Sequence, residues 1–98
     1  MVKILVVEDD RAINGLVCKY LEDNGYEAVS AYDGEVGLKA FESQPFDMII
    51  SDIMMPKMDG FAFVKRVREN NKKIPVLFMT ALDDKPSKQY GYTIGIDD

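Results

Sequence analysis

Acidic residues and one hydroxyl stand where apolar runs of this chain end. Glu8-Asp9-Asp10 follows KILVV, Asp52 follows Asp47-Met48-Ile49-Ile50-Ser51, and Thr80 follows IPVLFM. Carboxylates gathered at one rim disfavour each other's ionised forms unless a cation intervenes. A hard divalent ion answers that repulsion, and Mg2+ takes oxygen ligands in octahedral geometry while keeping several waters. Two carboxylates and one backbone carbonyl leave room for water or phosphate, an open site suited to a transient phosphate. Asp52 can then act as a nucleophile and form an acyl phosphate. Phosphoryl transfer asks for in-line positioning and neutralisation of the equatorial oxygens. Thr80 can donate a hydrogen bond to a phosphoryl oxygen, and the added charge is enough to draw a hydroxyl and its loop inward.

These residues meet only if the intervening elements bring the strand ends together. Residues 3 to 7 read as a strand. Ile13, Leu16, Val17, Tyr20 and Leu21 then recur at the spacing of one helical face, with Asp9 or Asp10 as the cap and Asn24-Gly25 as the stop. Residues 26 to 32 read as a second strand, and Asp33-Gly34 as a turn and helix cap. Leu38 and Phe41 give the second helix its apolar side, Gly37 permits close packing, and Pro45 closes it. The third strand is expected over 47–51 and the third helix over 60–69, with Phe61, Val64 and Val67 on one side. The fourth strand is expected over 74–79. Pro86, Gly91 and Gly95 allow only a short or irregular helix between 84 and 96. The strands are apolar on successive residues, which argues for parallel strands covered on both faces by helices. In such open sheets ligands bind beyond the carboxyl ends of the strands, the rim that carries the acids and Thr80.

Bulk properties narrow the partners. The 98 residues suffice for one small domain, 47% are hydrophobic and 30% charged, and the net charge is -5. That acidity disfavours direct nucleic-acid contact. A single cysteine, Cys18, excludes an internal disulfide and suits a reducing compartment such as the cytoplasm. The N-terminal apolar run is too short for a signal-peptide core or a membrane span. Asp10 reads as a helix cap rather than a ligand. Met54, Met55 and Met58 read as core or loop filling, since the chain has no histidine to join a soft-metal site. A flavin-binding reading fits the sheet but not the acidic loop after the first strand, where a phosphate cradle needs small residues and free N–H groups.

VVEDD, SDIMMPKMDG and VLFMTA, in register along the whole chain, resemble the receiver domain of two-component response regulators, most like the OmpR/PhoB-type group. The resemblance implies a flavodoxin-like α/β fold with a parallel sheet, of order 2-1-3-4 in this chain. It implies that Asp52 is the phosphoacceptor and Mg2+ the cofactor. Asp9 would be a direct metal ligand, Glu8 a ligand through water, and Met54 would contribute its backbone carbonyl. Thr80 matches the switch hydroxyl, Ala81 the small residue after it, and Pro56 and Gly60 the loop that shapes the site. It further implies a sensor histidine kinase as partner, a transcriptional output, and a regulator rather than an enzyme with a diffusing substrate. The family's lysine after the fifth strand has no counterpart before Asp98; Lys57, Lys85 and Lys88 do not replace it. Residues 1–98 thus read as a receiver lacking the family's fifth strand and fifth helix. The expected consequence is an exposed fourth strand and an uncovered sheet face, surfaces for self-association as a dimer. The alternative function is an interaction or dimerisation domain that is not phosphorylated.

Overall fold

The apolar runs form the centre of a sheet in a computed structural model that describes residues 1–81 and 92–97, with side chains for residues 1–79. β1 (Lys3–Val7) lies between β2 (Glu27–Ala31) and β3 (Met48–Asp52), and β3 pairs on its other side with β4 (Val76–Ala81). All three pairings are parallel, with Leu5 opposite both Val29 and Ile49, and Ile49 opposite Val76. The order β2-β1-β3-β4 and the helical crossovers between strands are those expected from the resemblance.

Successive side chains of a strand point to opposite faces, so a strand covered on both sides must be apolar throughout. Leu5 and Val7 enter one core with Ala31, Ile49, Phe63, Val64, Val67, Val76 and Phe78. Ile4 and Val6 enter a second, smaller core with Leu21. Each fully buried side chain of this kind stabilises the fold by about 1.5–3 kcal/mol.

Among the described residues three helices cover the sheet: α1 (Arg11–Asp23), α2 (Gly34–Ser43) and α3 (Gly60–Asn70). Each starts at an aspartate whose carboxylate accepts a backbone N–H of the first turn: Asp10 from Ile13, Asp33 from Val36, Asp59 from Ala62. Asp10, not Asp9, caps α1, which leaves Asp9 free at the rim. At the other end of α1 the Tyr26 N–H donates to the Leu21 carbonyl and the Gly25 N–H to that of Glu22. Gly25, at φ 90°, supplies the left-handed turn this closure needs. Gly37 is buried in α2, where a Cβ would stand 3.0 Å from the Phe63 ring and 3.1 Å from Val7.

Three sequence expectations change. The buried face of α1 runs through Asn14 and Leu21, flanked by half-buried Val17 and Cys18, while Leu16 and Tyr20 are exposed. The helix is rotated because the stripe 14-17-18-21 is the one that meets the small second core; the overlapping stripe with Leu16 and Tyr20 borders an open groove. In α3 the core residue is Phe63, fully buried, rather than Phe61, which is exposed and rests its ring 5.1 Å from that of Phe78. Finally, the sequence leads one to expect a short or irregular helix between 84 and 96 and β4 at the sheet edge. Instead β5 (Tyr92–Asp97) pairs with β4 in antiparallel register, with Leu77 opposite Ile96 and Met79 opposite Ile94. Tyr, Thr and Ile around Gly95 are strand formers, and the free N–H and C=O groups along β4 offer them a ladder. The expected irregular helix between 84 and 91, with Lys85, Lys88 and Tyr90, lies outside the described residues.

Candidate metal centre

Parallel register assembles the acidic rim. Val7 stands opposite Ser51, so the residues that follow, Glu8 after β1 and Asp52 at the end of β3, emerge side by side. One carboxylate oxygen from each of Glu8, Asp9 and Asp52 lies within 4.8 Å of the others. Glu8 and Asp52 are buried and Asp9 is exposed, so the cluster opens to solvent on the Asp9 side. Glu8 Oε2 accepts the Asp10 N–H at 2.9 Å. Glu8 Oε1 is buried with no hydrogen-bond partner.

The electrostatics follow from this crowding. Burial, reinforced by the Asp52 and Asp9 carboxylates, pushes the Glu8 carboxyl up to about 8, against the lowering effect of the Asp10 N–H. Burial also raises Asp52 above its ordinary value, partly offset by the neighbouring Glu8 carboxyl. Among the described residues no lysine or arginine forms an ion pair with Glu8, Asp9 or Asp52. The site therefore gathers three carboxyl groups with no cationic partner among the described residues, an orphaned buried oxygen and only hard oxygen donors. That donor set fits Mg2+.

The loop after Asp52 closes tightly over it. Met54 follows two residues later with its side chain exposed in the loop, while Met55 is buried in the larger core and Met58 packs against that core. Pro56 is exposed, and its carbonyl accepts the Met58 N–H at 2.7 Å across Lys57, which adopts φ 70°. Gly60 opens α3, is buried, and donates its N–H to the Ile53 carbonyl at 2.8 Å. A Cβ at Gly60 would collide with the Asp52 carbonyl oxygen and stand 2.9 Å from Ile53 Cα. Thr80 and Ala81 end β4, directly beyond Met79, which pairs with Asp52. Their side chains lie outside the described residues.

Sequence reasoning missed Asn14. It is fully buried in the first turn of α1, and its carboxamide reaches the carbonyls of Glu8 and Ala31, each at 3.1 Å. The available signal was its place on the 14-17-18-21 stripe, where a polar residue needs a buried partner.

The same fold occurs in known proteins. Residues 4–98 match the family model described as the response regulator receiver domain. The transcriptional regulatory protein RprY of Bacteroides fragilis is 43% identical over 96 residues, which cover 98% of this chain and 41% of that protein. This chain thus spans about two fifths of the length of such curated relatives. Among solved structures, the chemotaxis protein CheY4 of Vibrio cholerae is 42% identical with a TM-score of 0.81, over 89% of this chain and 73% of that one. The response regulator protein TrrA of Thermotoga maritima, solved in complex with Mg2+-BeF, is 36% identical with a TM-score of 0.81, over 89% of this chain and 76% of that one. With the family's pattern matched from the first strand onward and its fold reproduced around the acidic rim, the chain belongs to the response regulator receiver domain family.

Proposed function

We propose that this receiver is a phosphoacceptor module in which Asp52 takes a phosphoryl group from a sensor histidine kinase. The observation that carries this reading is the cluster of Glu8, Asp9 and Asp52 at the carboxyl end of the sheet, with two of its carboxylates buried. Asp9 and Asp52 would hold Mg2+ directly, Glu8 through water, and Met54 through its backbone carbonyl. Bound there, Mg2+ supplies the positive charge that neutralises the phosphoryl oxygens. An Asp52 carboxylate oxygen attacks phosphorus, the bond from phosphorus to the donor's imidazole nitrogen breaks, and its electron pair leaves with the imidazole. Thr80 donates its hydroxyl to a phosphoryl oxygen, and small Ala81 leaves room for that movement. Pro56 and Gly60 hold the loop over the acceptor.

The Mg2+-BeF complex of TrrA, a protein of the same fold, supports this use of the rim. The relatives' description as transcriptional regulators supports a transcriptional output in the cytoplasm. The role is regulatory: phosphorylation shifts populations of conformations, and self-hydrolysis of the acyl phosphate is a slow side activity. Incubation with acetyl phosphate and Mg2+, followed by intact-mass analysis, tests it. The expected result is one phosphoryl mass gained by the parent and none by Asp52→Asn. A gain that survives Asp52→Asn excludes Asp52 as acceptor.

A second reading, an association module that is not phosphorylated, is favoured by one observation. An apolar groove of about 780 Å³ lies between α1 and the sheet, with Leu16, Tyr20, Leu77 and Met79 among its lining. No mass gain in the parent favours this reading.

A further inference from the structure

We infer that Asn14 is a positioning residue for the acidic rim, holding the Glu8–Asp9 peptide in the orientation that lets both carboxylates face one cation. The inference rests on the metal reading of that rim and adds to it a residue that touches no ligand.

The connection between β1 and α1 is only Glu8-Asp9-Asp10, and it is tied at both ends of Glu8. The Glu8 N–H donates to the Ala31 carbonyl at 3.1 Å, and its side chain accepts the Asp10 N–H. Asp10 in turn caps α1 through Ile13. Asn14, one residue further, reaches back with Nδ2 to the carbonyls of Glu8 and Ala31 at 3.1 Å, and to that of Val6 at 3.4 Å. A carboxamide has two N–H donors, so the two shorter contacts take them. The Asn14 side chain thereby bridges the ends of β1 and β2 and fixes the peptide between Glu8 and Asp9.

The carboxamide is itself oriented. Its Oδ1 accepts the Ser30 hydroxyl at 2.6 Å and the Cys18 thiol at 3.3 Å. A flipped amide would set oxygen against backbone oxygen, so these two donors select the productive orientation. Residues that orient metal ligands from outside typically change affinity about 10–100-fold when removed. Leucine has the same branched heavy-atom skeleton as asparagine but donates nothing. In Asn14→Leu the Glu8 carbonyl loses its partner and the peptide is free to rotate, carrying Asp9 away from Glu8 and Asp52.

Calorimetric titration of the full chain with Mn2+, with urea unfolding in parallel, tests this. Asn14→Leu is expected to weaken Mn2+ about tenfold or more. Ser30→Ala, which removes one orienting donor and leaves the bridge, is expected to weaken it about threefold. A purely structural Asn14 would lower the urea midpoint and leave the dissociation constant of the folded protein unchanged. A folded Asn14→Leu that binds Mn2+ within twofold of the parent overturns the inference. If Asn14→Leu does not fold, an unchanged constant in Ser30→Ala overturns it. A parent that binds no Mn2+ refutes the metal reading of the rim itself, and the inference with it.

Discussion

Glu8 is the residue on which chemistry and stability meet. Its folded-state carboxyl titrates at about 8 against an ordinary value of 4.5, chiefly because it is buried. A carboxyl raised on folding contributes stability that is fully present below about 4.5 and is lost as pH rises through about 8. The shift of Asp52 has the same direction, so the two acids act together in the metal-free protein. Metal-free protein should therefore melt at a lower temperature at pH 8.5 than at pH 5.5. Glu8→Gln, neutral throughout, should show a much weaker decline. In a domain of this size a loss of about 1 kcal/mol lowers Tm by about 4–8 °C, well within calorimetric resolution. Parallel Tm–pH curves for parent and Glu8→Gln, both in EDTA, would show that Glu8 is not held protonated. Glu8, Asp9 and Asp52 were legible in the sequence because parallel strands send their carboxyl ends to one rim. Asn14 was not, because the partners of its Nδ2 are backbone carbonyls, which every residue carries, and the stripe it shares with Leu21 competes with the more apolar one through Leu16 and Tyr20.

At the scale of elements, the loop from Asp52 to α3 is set by how closely two backbones approach. Gly60 lies against the Asp52 carbonyl, so any side chain must push the acceptor strand and α3 apart. Gly60→Ala should destabilise by about 1–3 kcal/mol, the range for overpacking a rigid site. It should also weaken divalent-cation binding, because Asp52 moves with its own carbonyl. Gly15, in α1, offers the internal comparison: a Cβ there meets nothing within 4 Å. Gly15→Ala should stabilise by about 0.5–1 kcal/mol through helix propensity alone. Urea midpoints that move the same way for both variants would refute the contact argument. The strands were readable from their unbroken apolar runs, since only strands covered on both faces need them. The face of α1 was not, because Leu16 and Tyr20 complete a stripe as regular as the buried one. β5 was hidden because Gly95 interrupts a short run of strand formers, and the pairing with β4 that holds the run extended leaves no mark in the sequence.

The whole molecule is unevenly covered. Among the described residues, α2 and α3 bury the larger core on one face of the sheet, and α1 covers the smaller core on the other. The groove left beside α1 is bordered by Ile4, Ile50, Leu77 and Met79 from the sheet, and by Leu16 and Tyr20 from the helix. Leu16 and Tyr20 are 69% and 68% exposed. Apolar surface gathered in one patch is driven to cover itself, and a second copy brings the same patch in matching form. β5 occupies the edge that β4 would otherwise offer, so backbone pairing through β4 is not the route to association. Light scattering after size exclusion should therefore show a mass that rises with protein concentration. Leu16→Glu together with Tyr20→Glu should return it to the monomer. Both positions lie outside the two cores and away from the acidic rim, so the urea midpoint and Mn2+ affinity of the double variant should match the parent. A parent that stays monomeric at every concentration, or a double variant that associates as before, would exclude this groove as the surface of self-association.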